Sequence, residues 1–123
     1  MNFPKNLKYA KSHEWLDDLG ASVKIGISDY AQDALGDIVF VNLPEIGDDV
    51  VAGERFADVE SVKAVSDIYS PVTGKIVAVN EELLDAPEKI NESAYDAWFI
   101  EVGDVSATSD DLLDASGYEE QLS

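Results

Sequence analysis

Apolar and polar positions alternate most clearly at Val23, Ile25 and Ile27, which places these three on one face of a strand over Ala21–Ile27. A preceding strand is expected over Leu7–Leu16, with Asp17-Asp18-Leu19-Gly20 as the turn of a hairpin. Ser28-Asp29 supplies an N-cap for a short helix through Leu35, closed by Gly36. Ile38-Val39-Phe40-Val41-Asn42-Leu43 is apolar at nearly every position and reads as a strand buried on both faces, stopped by Pro44 and Gly47. Strand-like runs follow at Glu54–Val59 and Asp67–Pro71, and a further apolar strand follows Thr73-Gly74. Beyond these, a helical turn within Glu81–Glu88 before Pro87 and a last strand over Ala97–Val102 are expected. At the C-terminal end, Ser109 is positioned to cap a helix over Asp110–Asp114, with a second short turn over Ser116–Leu122. Short strands punctuated by Gly, Pro and Asp turns predict a mainly β sandwich or barrel: one domain with its core over about 7–103 and a helical extension over about 109–122.

The pattern G-x-I-V-x-V-N occurs twice, at Gly36–Asn42 and Gly74–Asn80, which suggests two related β halves. Lys63 lies between the copies, in the polar stretch joining Glu54–Val59 to Asp67–Pro71. It is one of seven lysines. With Val59, Val62 and Val65 anchoring a tight hairpin and Glu60 and Asp67 outside, the Lys63 amine is expected at an exposed apex, where it can be reached and modified.

Composition narrows what such an amine serves. The chain has 123 residues, enough for one compact core, and 46% of them are hydrophobic, which argues against disorder. It has no cysteine, so any sulfur chemistry must come from an attached group. A formal charge of −18, from 26 acidic and 8 basic residues, disfavours nucleic acid and anionic membrane as partners and suits docking on basic faces of other proteins. The N-terminus lacks a basic region followed by an apolar stretch, and no run is long enough to cross a bilayer, so a cytoplasmic monomer is expected.

Other chemistry is weakly represented. On a continuous strand the single histidine, His13, faces away from Ser12 and Glu14, so no nucleophile–base triad forms there; His13 reads as a packing or hydrogen-bonding residue. Asp48-Asp49 and Asp110-Asp111 lack the spacing of a calcium loop and read as solvated turns.

Val59-Glu60-Ser61-Val62-Lys63-Ala64, followed by Ser66-Asp67-Ile68-Tyr69-Ser70-Pro71-Val72-Thr73-Gly74, resembles the lipoyl-attachment signature of the glycine cleavage system H-protein family. Further segments are similar in the same order: Leu7-Lys8-Tyr9, Ser12-His13-Glu14-Trp15, Gly26-Ile27-Ser28-Asp29-Tyr30-Ala31-Gln32, Leu35-Gly36-Asp37-Ile38-Val39-Phe40-Val41 and Leu43-Pro44-Glu45-Ile46-Gly47. The resemblance covers nearly the whole chain. It implies a barrel-sandwich hybrid of two antiparallel sheets and a non-catalytic carrier, with (R)-lipoate amide-linked to Lys63. Implied partners are a pyridoxal-phosphate glycine decarboxylase, a folate-dependent aminomethyltransferase, a flavin-dependent dihydrolipoyl dehydrogenase and lipoate-attaching enzymes. By motif, Glu60 and Gly74 correspond to attachment-context positions, and Ser12, Glu14 and Asp67 to groups that receive the aminomethyl amine of the loaded arm.

The chain departs from the family pattern at Ser93-Ala94-Tyr95-Asp96-Ala97-Trp98, where alanines replace the usual proline and glycine and one residue is missing. This departure motivates one alternative, an H-like donor relaying lipoyl groups to 2-oxoacid dehydrogenases. A biotin carrier is a poorer match, because that family's lysine stands between methionines.

Overall fold

The computed structural model describes residues 1–122. Its elements, in chain order, are β1 (Lys8–Tyr9), β2 (Glu14–Asp18), β3 (Ser22–Ile27), α1 (Asp29–Leu35), β4 (Ile38–Asn42), β5 (Asp49–Val50), β6 (Arg55–Ser61), β7 (Val65–Tyr69), β8 (Val72–Val79), α2 (Glu82–Asp85), α3 (Lys89–Glu92), β9 (Ile100–Thr108) and α4 (Ala115–Leu122). Every pairing is antiparallel. A six-stranded sheet runs β1-β2-β3-β9-β8-β5, and a three-stranded sheet runs β4-β6-β7. This is the mainly β, two-sheet fold with short helices that the patterning predicts.

The inward positions of both sheets build the core. Ile25 and Ile27 of β3, Ile76 of β8 and Ile100 and Val102 of β9 meet Val41, Val59 and Ile68 of the smaller sheet, with Leu83, Ile90 and Phe99 closing one end. In β6 alternation is what allows this, with Ala57 and Val59 inward and Asp58 and Glu60 outward, whereas β2 is buried on both faces, Leu16 in this core and Trp15 in a second one. A second cluster, Leu7, Tyr9, Trp15, Ala115 and Tyr118, seats α4 against β1 and β2. There the Tyr9 and Tyr118 rings stack at 4.8 Å, 7° from parallel.

Several expectations change. Leu7–Leu16 is not one strand: the chain reverses at Ala10–His13, where His13 N–H donates to Ala10 O (2.9 Å) and His13 adopts φ 84°. β4 is buried on one face only. Ile38 and Val41 point inward, whereas Val39 and Phe40 are 54% and 51% exposed, because the pairing with β6 is irregular between Ile38 and Phe40 and the strand forms a sheet edge. The final strand starts later and runs six residues beyond Val102. Its far half, Asp104–Thr108, is exposed at every position although Val105 and Ala107 alternate with polar residues. No helix forms over Asp110–Asp114. Leu113 bridges Tyr9 through paired backbone bonds of 2.7 and 2.8 Å, and Ser109 N–H donates to Pro71 O instead of capping. The expected short turn over Ser116–Leu122 is the eight-residue α4, begun by Asp114, whose Oδ1 accepts from Gly117 N–H (2.8 Å). The two G-x-I-V-x-V-N copies both lead into strands, in different sheets, but their glycines differ. Gly36 caps α1 at φ 81°, while Gly74 lies inside β8 rather than at a turn.

Candidate functional site

The hairpin between β6 and β7 ends in a turn held by one side chain. Ser61 N–H donates to Ala64 O (2.8 Å), and Ser61 Oγ accepts from both Lys63 N–H (3.1 Å) and Ala64 N–H (3.0 Å). A serine hydroxyl thus satisfies the amides that a bare tip would leave to water. The hairpin is also tied sideways, through Val62 N–H to Asp37 O (3.0 Å), to the segment between α1 and β4. Sequence reasoning missed Ser61; a serine two residues before the lysine at a hairpin tip is the signal that finds it.

Lys63 is exposed at this tip. Its stem passes over Gly36, where an added Cβ would lie 3.4 Å from Lys63 Cε and 3.8 Å from Nζ. An added Cβ would make only ordinary contact with the lysine, so what Gly36 supplies is the left-handed backbone conformation that ends α1. The ion pairs among the described residues join Arg55 to Asp58, Lys75 to Asp49 and Lys89 to Glu82, and none involves Lys63. The amine is presented, with no described carboxylate holding it.

The expectation that Val62 and Val65 anchor the hairpin from inside is corrected. Val59 is fully buried, but Val62 and Val65 are each 66% exposed. Register explains the difference. Val59 faces Val41 and Ser66 across the inner side, whereas Val65 pairs with Glu60 on the outer side, and Val62 belongs to the turn itself. Glu60 and Asp67 are exposed on that outer face, as expected.

Ser12 and Glu14 lie at the other end of β7. Glu14 is 1% exposed; its Oε1 accepts from Ser12 Oγ, and its Oε2 accepts from Tyr69 N–H (3.2 Å), an amide on the open edge of β7. Burial pushes the Glu14 carboxyl up to about 7, against the opposing effect of those hydrogen bonds. Asp67 is two residues along β7 from Tyr69. The structure therefore brings Ser12 and Glu14 into contact, places Asp67 on β7 two residues from the Tyr69 amide that Glu14 holds, and leaves Lys63 beyond the far end of that strand. Gly74 belongs to neither group. A Cβ there would meet Gly103 O and Val102 Cγ1, each at 2.6 Å, so its place is set by the close approach of β8 and β9.

Behind Glu14 is a polar knot in the aromatic cluster. Tyr118 Oη lies 2.7 Å from His13 Nδ1 and 2.7 Å from Ser28 Oγ, and Ser28 Oγ also accepts from Ala31 N–H (3.2 Å) as the cap of α1. Ser28 N–H donates to His13 O (2.9 Å). Burial lowers the His13 pKa and pushes Tyr118 up to about 12. His13 is thus the hydrogen-bonding residue expected, but through its place in a turn and not on a strand. Among the described residues no group of histidine and acidic side chains is arranged to hold a metal ion, and no helix is long and apolar enough to cross a membrane.

The family model described as "Glycine cleavage H-protein" matches residues 7–123. The glycine cleavage system H protein of Lachnoclostridium phytofermentans is 54% identical over 98% of this chain and 94% of its own length. That of Geobacillus kaustophilus is 55% identical over 99% of this chain and 98% of its own. Among solved structures, the glycine cleavage system H protein from Mycobacterium marinum superposes with a TM-score of 0.92 at 41% identity, covering 98% of both chains. A full-length match in sequence and in the arrangement of both sheets shows that this chain belongs to the glycine cleavage H-protein family.

Proposed function

We propose that this chain is a lipoyl carrier whose arm is attached at Lys63. It would take the aminomethyl group of glycine from a pyridoxal-phosphate decarboxylase to a folate-dependent aminomethyltransferase, and a dihydrolipoyl dehydrogenase would reoxidise it. The observation that carries the reading is the Lys63 amine, exposed and without an ion pair among the described residues, at a turn ordered by Ser61 in a family of glycine cleavage proteins. The residues present fit an amide-linked lipoyl group. The Lys63 side chain is exposed, and the chain has no cysteine to exchange with a disulfide. When bound, that group supplies a dithiolane on a long flexible tether, which picks up the aminomethyl fragment in one active site and yields it in another.

The remaining chemistry belongs to the chain. Val65 to Tyr69 spans about 13 Å of extended strand, with Lys63 beyond one end and Ser12 and Glu14 at the other. We assign Ser12, Glu14 and Asp67 to the reception of the loaded arm's amine. Glu14 is the strongest of the three: its charge is poorly solvated, so an arriving ammonium offsets the burial penalty and shifts the carboxyl toward its ionised form. Glu60 is assigned to recognition by the lipoate-attaching enzyme, and Gly74 to keeping β8 against β9.

The Tyr95 segment gives no support to a relay role. Trp15 Nε1–H donates to Ala94 O (3.1 Å), and Tyr95 Oη donates to Asn2 O (2.6 Å) while accepting from Asp29 N–H (3.1 Å); the segment is built into the scaffold. The deciding experiment supplies the lipoylated chain as the only carrier to the three partner enzymes and follows release of glycine carbon dioxide. Turnover that depends on the chain and disappears in Lys63→Ala supports the reading. Absence of turnover, with efficient lipoyl transfer to an acyltransferase domain, overturns it in favour of the relay.

A further inference from the structure

The outer face of the three-stranded sheet is uncovered, and its composition is unusual for a surface so close to a modifiable lysine. Register sets Phe40 opposite Glu60 and Glu60 opposite Val65, a row crossing all three strands; the next row is Asn42, Asp58 and Asp67. Phe40 and Val65 are 51% and 66% exposed, and exposed Val39 and Val62 extend the apolar surface toward the tip. Asp58 and Asp67 stand directly opposite one another. That like-charge pairing weakens the sheet, and among the described residues the ion pairs give a cationic partner to Asp58, Arg55 at 3.2 Å, and none to Asp67. A hairpin needing nothing but stability would bury or replace these valines and separate these acids.

We propose that this face is the docking surface for the enzyme that acylates Lys63, and that the enzyme meets it with an apolar floor for Phe40 and Val65 and a cationic side chain for Glu60 and Asp67. The occupant follows from reach. Before acylation the amine sits on a four-carbon stem, so an enzyme acting on Nζ must close over the residues flanking the tip, whereas one acting on the end of a loaded arm can remain further away. Charge complementarity points the same way, since a chain of net charge −18 attracts a basic partner face. In the reaction served, a bond forms between Nζ and the carbonyl carbon of an activated lipoyl group. The activating group leaves with the bonding electron pair, and the ammonium gives up two protons.

This inference rests on Lys63 as the attachment residue, and one experiment separates the two. Purified full chain is titrated into an ATP-dependent lipoate ligase with lipoate, and the lipoyl mass increment is followed for the parent, Phe40→Ser, Val65→Ser, Lys63→Ala and a remote exposed control, Ile46→Ser. The docking surface predicts that Phe40→Ser and Val65→Ser reach the parent's final mass but need roughly tenfold more protein for half-maximal rate, as loss of an interface anchor requires. Ile46→Ser should match the parent. Parent-like saturation of both sheet variants overturns the docking surface and leaves Lys63 attachment standing, as does normal acylation of these variants followed by failure with the decarboxylase. No increment on the parent overturns both.

Discussion

The two ends of β7 solve opposite problems. At the Lys63 end, apolar side chains face water, the amine has no ion-pair partner among the described residues, and a single serine side chain holds the turn. At the Glu14 end a carboxylate is sealed from water with both oxygens hydrogen-bonded, backed by the Tyr118 knot. The first end leaves groups available to an enzyme at little cost to the fold. The second keeps a charge under strain within an ordered setting. The proposed carrier role would use both, the first end for attachment of the arm and the second for its cargo.

Acidity tests the contrast most strongly. The Glu14 pKa is raised from an unfolded value near 4.5 to about 7, so its contribution to stability is fully present below pH 4.5 and is lost as pH rises through 7. His13 acts in the opposite sense. Its pKa is lowered by burial, so protonation below the usual histidine range costs stability. Glu14→Gln isolates the first term. Relative to the parent, denaturant unfolding should show the variant gaining about 3 kcal/mol between pH 4.5 and pH 8. A pH-independent difference would mean that Glu14 is solvated.

Next in size is Gly74→Ala. The added methyl meets backbone and Val102, and displacing them should cost about 1–3 kcal/mol, read as a lower thermal midpoint. If lipoylation instead slows with the midpoint unchanged, Gly74 belongs to recognition. Tyr118→Phe should cost about 1 kcal/mol by leaving His13 and Ser28 without a shared partner, with lipoylation kinetics unaltered. Phe40→Ser and Val65→Ser stand last on this scale, with stability changed by no more than about 0.5 kcal/mol.

The same contrast explains what was legible in the sequence. The core strands declared themselves because one buried face imposes alternation, and Ser28 marked the start of α1 because a capping hydroxyl has few substitutes. The Lys63 hairpin was readable through its motif, but not the exposure of Val62 and Val65, which depends on cross-strand register that no local pattern encodes. The reversal at Ala10–His13 was hidden because it uses neither glycine nor proline; His13 takes the left-handed conformation itself. The outer half of β9 was missed because its alternation rests on only Val105 and Ala107, both exposed, and its partners on β8, Val72 and Thr73, are distant in sequence. Burial of Glu14 likewise depends on Tyr69, fifty-five residues away.

The central claim is that the Lys63 amine is presented for acylation while the other six lysines are not. Protein produced in lipoate-competent cells, digested and mapped by mass spectrometry, tests it most directly. The account predicts a single lipoyl increment located on Lys63 and none in Lys63→Ala, with both proteins unfolding at the same temperature. A lipoyl increment on any other lysine, or its persistence in Lys63→Ala, would contradict it.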